Sequence, residues 1–233
     1  MSISFGIITR TTNDLDFLFN DKFNDETIVK MIKDIISINV NDSITFEIIS
    51  VAKNQNQQGK RIKLLCKLDS IRHPLSIDIA RSEPIHPGVK LMSYESIINA
   101  ENVKIFVYPY ETVIAEKLQT VVSLGLASSR VKDLFDLYTM CKLKLKNLNT
   151  HSIRAAIEMT FKHRNTDDNH SFIVNELTNT KNSKVQQNLW RNYEKKHYFA
   201  KGITHQEIVD TIIDMVNRVF DSKIDNYTDN TNA

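Results

Sequence analysis

The chain has 233 residues, 41% hydrophobic and 25% charged, a composition ordinary for a globular protein with a sizeable core in one large domain or two smaller ones. No run approaches the roughly 18 consecutive apolar residues of a membrane span, so no membrane role is expected. The net charge of +2 hides an uneven distribution: residues 142–201 carry 12 Lys/Arg against 5 Asp/Glu, and residues 202–233 carry 2 against 6. Five of the seven histidines (His151, His163, His170, His197 and His205) also lie beyond residue 141. Such a basic segment reads as a nucleic-acid surface or, at even odds, as solvated helix faces. Cys66 and Cys141 are isolated, which excludes a disulfide framework and a zinc site and fits a reducing cytoplasm. The N-terminus lacks the basic start of a signal peptide.

In chain order, residues 14–19 predict a short strand and residues 26–38 a helix, with Ile28, Met31, Ile32, Ile35 and Ile36 at helical spacing. Residues 43–52 and 61–68 predict paired strands joined by the polar run 53–60. In the second of them Ile62, Leu64, Cys66 and Leu68 alternate with Arg61, Lys63 and Lys67. Residues 75–80 predict another strand, after which Pro84, Pro87 and Gly88 break the chain. Pro109 is suited to start a helix. Helices are predicted over 110–124 and 129–145, split by Gly125, then over 151–163, 184–198 and 205–220. The expected organisation is α+β: a mixed sheet with flanking helices over 1–145, a helical bundle over 146–220, and a polar, frayed tail over 221–233.

Three carboxylates stand out. On a strand, alternate side chains share a face, so Asp14 and Asp16 point together while Leu15, Phe17 and Phe19 are expected to point into the core. Paired carboxylates repel unless a cation lies between them, and hard oxygens suit Mg²⁺. Asp78 faces away from Leu75, Ile77 and Ile79. It offers a third carboxylate, for a two-metal site or as general base. An exposed strand edge is the plain alternative for all three. Lys117 falls about 60° from Ile114 around its helix, beside the apolar stripe of Ile114, Leu118, Val121 and Val122. It either snorkels or reaches a cleft where it holds a triphosphate. In residues 129–138, Val131, Leu134, Phe135 and Tyr138 form a buried stripe flanked by Arg130 and Asp133. Lys132 and Asp136 are expected opposite it as a solvated pair. Arg191, Tyr193, Lys195, Lys196 and Tyr198 alternate basic and aromatic character near Trp190, suiting either RNA stacking or a buried aromatic face. The chain has no glycine-rich phosphate loop, no G-x-S-x-G element and no His/Cys cluster at metal spacing.

Three of these segments together resemble one family. Arg10–Thr11–Thr12–Asn13–Asp14–Leu15–Asp16–Phe17 resembles the R-x-T-x-D-[IL]-D-[FL] segment of AbiEii-type toxins, members of the polymerase-β-like nucleotidyltransferase superfamily. Residues 108–118 resemble that family's YPxETxxAEKL helix, and residues 129–138 its SRxKDxxDLY helix. The resemblance implies that Asp14, Asp16 and Asp78 bind catalytic Mg²⁺ or Mn²⁺, with Lys117 and Asp133 completing the catalytic set. It assigns Arg10, Thr11, Lys117 and Arg130 to nucleotide binding. It further implies a cytoplasmic toxin that transfers a nucleotide from a nucleoside triphosphate to an acceptor, in some relatives the tRNA 3′ end, under restraint by a cognate antitoxin. Such chemistry needs cations around spreading negative charge more than a covalent nucleophile. One departure stands beside it. Family members carry a Gly-Gly or Gly-Ser element on a helix start upstream of the aspartates, whereas here nine residues precede Arg10 and Gly6 is a lone glycine. Either the true start lies upstream or the chain is a shortened relative, and the alternative expectation is a shortened, inactive remnant that binds RNA or protein. A helical DNA-binding module over 146–233 is a third.

Overall fold

The computed structural model describes residues 14–19, 24–53, 59–81, 83–95, 102–144 and 149–221. Of the tail expected over 221–233, residues 222–233 lie outside them, as does the centre of the 53–60 loop. The chain forms two compact units, Met1–Glu83 and Pro84–Ala233. The packing thus divides at Glu83/Pro84, whereas the sequence pattern placed a boundary near residue 145.

The first unit is a four-stranded sheet in the order β1-β4-β3-β2, built from β1 (Asp14–Phe19), β2 (Thr45–Lys53), β3 (Lys60–Leu68) and β4 (Ile71–Arg81). β2, β3 and β4 run antiparallel, and β1 joins β4 in parallel. Helix α1 (Asp25–Ile36) starts where Asn24 accepts the backbone N–H of Thr27 at 2.8 Å, with Asp25 and Glu26 placed favourably in its first turn. It buries Ile28 and Ile32 against Ile62 and Leu64 of β3 and Ile77 and Ile79 of β4. Asp25 also accepts Arg81 at 2.6 Å and Lys60 at 2.8 Å, tying the helix start to the sheet. β4 runs longer than expected and contains Pro74. Among the described residues β1 pairs with residues 76–81 and not with Pro74, so no ladder partner there calls for the missing N–H.

The second unit opens with a hairpin of β5 (Lys90–Glu95) and β6 (Asn102–Val107). Six α-helices follow among the described residues: α2 (Tyr110–Leu124), α3 (Val131–Lys144), α4 (Thr150–His163), α5 (His170–Asn182), α6 (Lys184–Lys196) and α7 (His205–Asp221). α2 packs on α4, and α7 packs on α5 and α3, so the two motif helices belong to the same packed body as the C-terminal helices. α7 buries Ile208, Ile212, Met215 and Val219, the i, i+4, i+7, i+11 pattern of a core-facing helix. Gly125 ends α2 at φ 47°, a backbone conformation that disfavours any side chain. No helix among the described residues is long and apolar enough to cross a membrane.

Trp190 anchors this bundle. It is 1% exposed, stacks on Phe135 with ring centroids 6.1 Å apart, and donates its indole N–H to the carbonyl of Ile203 at 2.8 Å. Truncating a fully buried indole leaves a large cavity and an orphaned carbonyl. Trp190→Ala is expected to destabilise the second unit by about 3–5 kcal/mol, read as a lower urea midpoint by circular dichroism; an unchanged midpoint would contradict the anchoring role.

Candidate active site

In the first unit the sheet register aligns the acidic residues. Asp16 lies beside Asp78, which lies beside Arg61; one row away, Asp14 lies beside Ser76, which lies beside Lys63. Because side chains alternate along strands, these residues share one face, while Ile62, Ile77 and Ile79 face α1 on the other. Asp14, Asp16 and Asp78 are therefore brought to the same face. Leu15 and Phe17 lie on the core side, yet they are not buried as expected: they remain 38% and 49% exposed. Among the described residues β1 is an edge strand, and of its own residues only Phe19 packs against the core cluster.

Arg61 is the residue that strand alternation alone left on the solvent side without a task. Its Nε donates to Asp78 Oδ1 at 2.6 Å and its Nη2 to Asp78 Oδ2 at 2.5 Å, a bidentate pair across β3 and β4. The hydrogen bonds to Asp78, and then the charges of Asp78, Asp14 and Asp16, hold the guanidinium even further above its ordinary pKa, against the opposing effect of burial. The signal for it was the cross-strand register, which a single strand does not reveal. Asp78 is thus held by a guanidinium, and Asp14 and Asp16 add two further carboxylates on the same face, hard oxygen donors of the kind that suit Mg²⁺. Among the described residues, no group of three or more His, Cys, Asp or Glu side chains is placed to hold a metal ion. Arg10 and Thr11 lie outside the described residues.

The second unit holds a different charged cluster. Lys117 Nζ donates to Asp133 Oδ1 at 2.9 Å and to Asp136 Oδ2 at 2.8 Å, and Arg130 Nε donates to Asp133 Oδ2 at 2.6 Å. Both aspartates are 3% exposed. Asp136 was expected to pair with Lys132 in solvent, and this is corrected: it is buried against Lys117 while Lys132 is exposed. Asp133 and Asp136 are three residues apart, so they occupy adjacent turns of one face and converge on one ammonium. Lys117 neither snorkels nor reaches out freely. Burial alone would lower its pKa, but the charges of Asp136 and Asp133 outweigh it and raise the value. Arg130, with 49% of its side chain exposed, is the accessible cation of this cluster.

Other residues of the two motifs also have structural tasks. The Thr112 hydroxyl accepts the His86 N–H at 3.0 Å and donates to the His86 carbonyl at 2.9 Å. Buried Glu111 lies 3.5 Å from Lys90. Tyr138 donates to Glu207 at 2.6 Å, and burial together with that carboxylate pushes its phenol up to about 12.

Removing one member of a buried ion cluster strands the others, so Lys117→Met is expected to cost about 3–5 kcal/mol. Adding Asp133→Asn and Asp136→Asn should recover much of that loss. Urea unfolding followed by Trp190, the only tryptophan in the chain, reads this directly; a single variant as stable as the parent would contradict the clamp. Because the folded pKa of Lys117 is raised above its ordinary 10.5, its contribution is complete below 10.5 and declines only as pH rises through the higher folded value.

Comparison with known proteins adds the family. The family model for the nucleotidyl transferase AbiEii toxin, of a type IV toxin–antitoxin system, matches residues 1–212. A crystal structure of a candidate nucleotidyltransferase from H. pylori is similar with a TM-score of 0.45 and 15% identity, covering 90% of this chain and 78% of that one. No curated protein matches. With most of its length matched by the family model, the chain belongs to the AbiEii nucleotidyl transferase toxins.

Proposed function

We propose that the protein transfers a nucleotide from a nucleoside triphosphate to an RNA acceptor, the tRNA 3′ end, with Asp14 and Asp16 holding Mg²⁺ or Mn²⁺. The observation that carries this reading is the register that sets Asp14, Asp16 and Asp78 on one sheet face in a chain of a nucleotidyltransferase family. In the reaction, an acceptor hydroxyl oxygen bonds to the α-phosphorus, the bond from that phosphorus to the bridging β-phosphate oxygen breaks, and pyrophosphate leaves. The hydroxyl proton passes to a carboxylate or to solvent. A divalent ion, when bound, offsets the charge that develops on the phosphoryl oxygens. Asp78, oriented by Arg61, is the third carboxylate of the face. Arg61 is a fixed cation whose positive charge limits the repulsion among the three. Within the second unit taken by itself, Arg130 carries an exposed guanidinium suited to phosphate, and Asp133, itself held by Lys117, positions it. The family resemblance further assigns Arg10 and Thr11 to nucleotide binding. The family's toxin–antitoxin context further supports a cognate antitoxin that restrains the enzyme in the cytoplasm.

The test is transfer of label from each of the four α-³²P nucleoside triphosphates to total tRNA with Mg²⁺. Labelled RNA is expected with the parent protein, with loss of at least about a hundredfold in Asp14→Ala/Asp16→Ala. Label that persists in that variant, or in the presence of a chelator, would sink the assignment. A second outcome concerns Arg61. Removing its charge leaves the carboxylate face more negative, so Arg61→Ala is expected to bind Mn²⁺ severalfold more tightly in electron paramagnetic resonance titrations while transferring more slowly. Weaker Mn²⁺ binding would show that Arg61 builds the ion site instead of opposing the ion's charge.

A further inference from the structure

Helix α6 carries a surface that neither the core nor the proposed chemistry uses. At about 100° per residue, Lys184, Asn188, Arg191 and Lys195 fall within about 60° of one another, a stripe about 16 Å long. All four are exposed, and they lie opposite the face that buries Gln186 and Trp190. Lys196 and Lys201 extend the exposed positive charge at the C-terminal end. None of these five cations enters an ion pair among the described residues; Arg191 only meets Asn188 at 3.1 Å. The nearby carboxylate of Glu194 is turned away, accepting the backbone N–H of Gly202 at 2.9 Å.

Helix stability accounts for only part of this charge. Lys195 and Lys196 in the last turn complement the helix dipole, but Lys184 in the first turn opposes it. Just beyond the helix, Tyr198 is 89% exposed, the most exposed large apolar side chain among the described residues. Its ring meets Phe199 edge-on with centroids 5.6 Å apart, while Phe199 itself packs inward on Phe135. A solvent-facing ring beyond the end of an unpaired cationic stripe is the arrangement by which proteins stack an unpaired base and track its phosphates.

We infer that the α6 stripe, with Lys201 and Tyr198, is a docking surface for single-stranded RNA: the cations follow the phosphates and Tyr198 stacks on an unpaired base. The inference deepens the RNA-acceptor reading above and rests on it only for the identity of the polyanion. Binding is measured on the full chain without nucleotide or divalent ion, so it is scored apart from transfer. The probe is a fluorescein-labelled single-stranded RNA of about 12 nucleotides, within the site sizes of single-strand binders, followed by anisotropy across a salt series.

Lys184→Ala/Arg191→Ala/Lys195→Ala is expected to reduce the log–log salt slope by about 2, at roughly 0.7 per lost phosphate contact on a single strand. Tyr198→Ala is expected to weaken binding at least about fivefold, with Tyr198→Phe close to the parent. Lys184→Arg/Lys195→Arg should bind like the parent, and Trp190 emission should show every variant folded. An unchanged slope in the triple variant, or undiminished binding in Tyr198→Ala, would overturn the inference. So would equal affinity for the same sequence as a duplex, or binding of a polyglutamate peptide in place of the RNA, which would make the stripe a surface for an acidic protein. Transfer to tRNA that is unimpaired in the triple variant overturns this docking surface alone; RNA bound through the stripe with no transfer overturns the catalytic reading alone.

Discussion

The second unit depends on one ammonium held between two carboxylates. Lys117 comes from α2, Asp133 and Asp136 from α3, and all three side chains are largely removed from water. Desolvating such charges is costly, and the cost is offset only when geometry and hydrogen bonding are complete. Here they are: two short bonds from Lys117, and a third to Asp133 from Arg130. The angle between α2 and α3 is therefore specified more sharply than by apolar packing alone. Around it, α2 is held to the preceding segment by Thr112 and to the residues after α4 by Gln119, which donates to Thr166 at 2.7 Å and accepts from Arg164 at 3.1 Å. Gln186 of α6 caps the α2–α3 connection from outside, donating to the carbonyls of Leu126 and Ser128.

The first unit solves the opposite problem. Its acidic residues lie on the face away from α1, and strand pairing, not burial, sets their mutual placement. β1 needs only a parallel partner to bring Asp16 beside Asp78, and β3 needs only its antiparallel register to bring Arg61 beside them. Backbone hydrogen bonds fix the Cα positions, while Asp14 and Asp16 stay exposed and Asp78 half-buried. The helix core beneath, from Ile28 and Ile32 to Ile62, Leu64, Ile77 and Ile79, holds that register: a one-residue slip would move the isoleucines to the wrong face.

How much was legible in the sequence followed from which periodicities reach across the chain. The period of two along β1, β3 and β4 revealed the strands and the shared face of Asp14 and Asp16, because that property is internal to a strand. The apolar repeats of α1, α2 and α7 were equally plain, and the family motifs pointed to Lys117 and Asp133. Beyond the β2–β3 pair, which its polar connecting run revealed, pairings between elements were not visible. Arg61 met Asp78 only through register, and Asp136 was set in solvent because a helical wheel shows which residues share a face and not what stands opposite. The hairpin of β5 and β6 and helix α5 were passed over. α5 buries little more than Ile173, Leu177 and Thr180, among polar residues that resemble a loop in composition. Leu15 and Phe17 show the converse error, since alternation gives the face but not whether a neighbouring element covers it.

The buried cluster also ties together the fates of its members in descent. A lineage that exchanges Lys117 alone must carry a folded state with two stranded carboxylates, and one that exchanges either aspartate must carry an ill-matched cation, so these positions tend to change as a set or remain. The exposed aspartates of β1 support no comparable share of the core, so the fold alone would let them drift singly. Retention of the two helical motifs would then report on the fold, and retention of the paired strand aspartates, under the proposed function, on the chemistry.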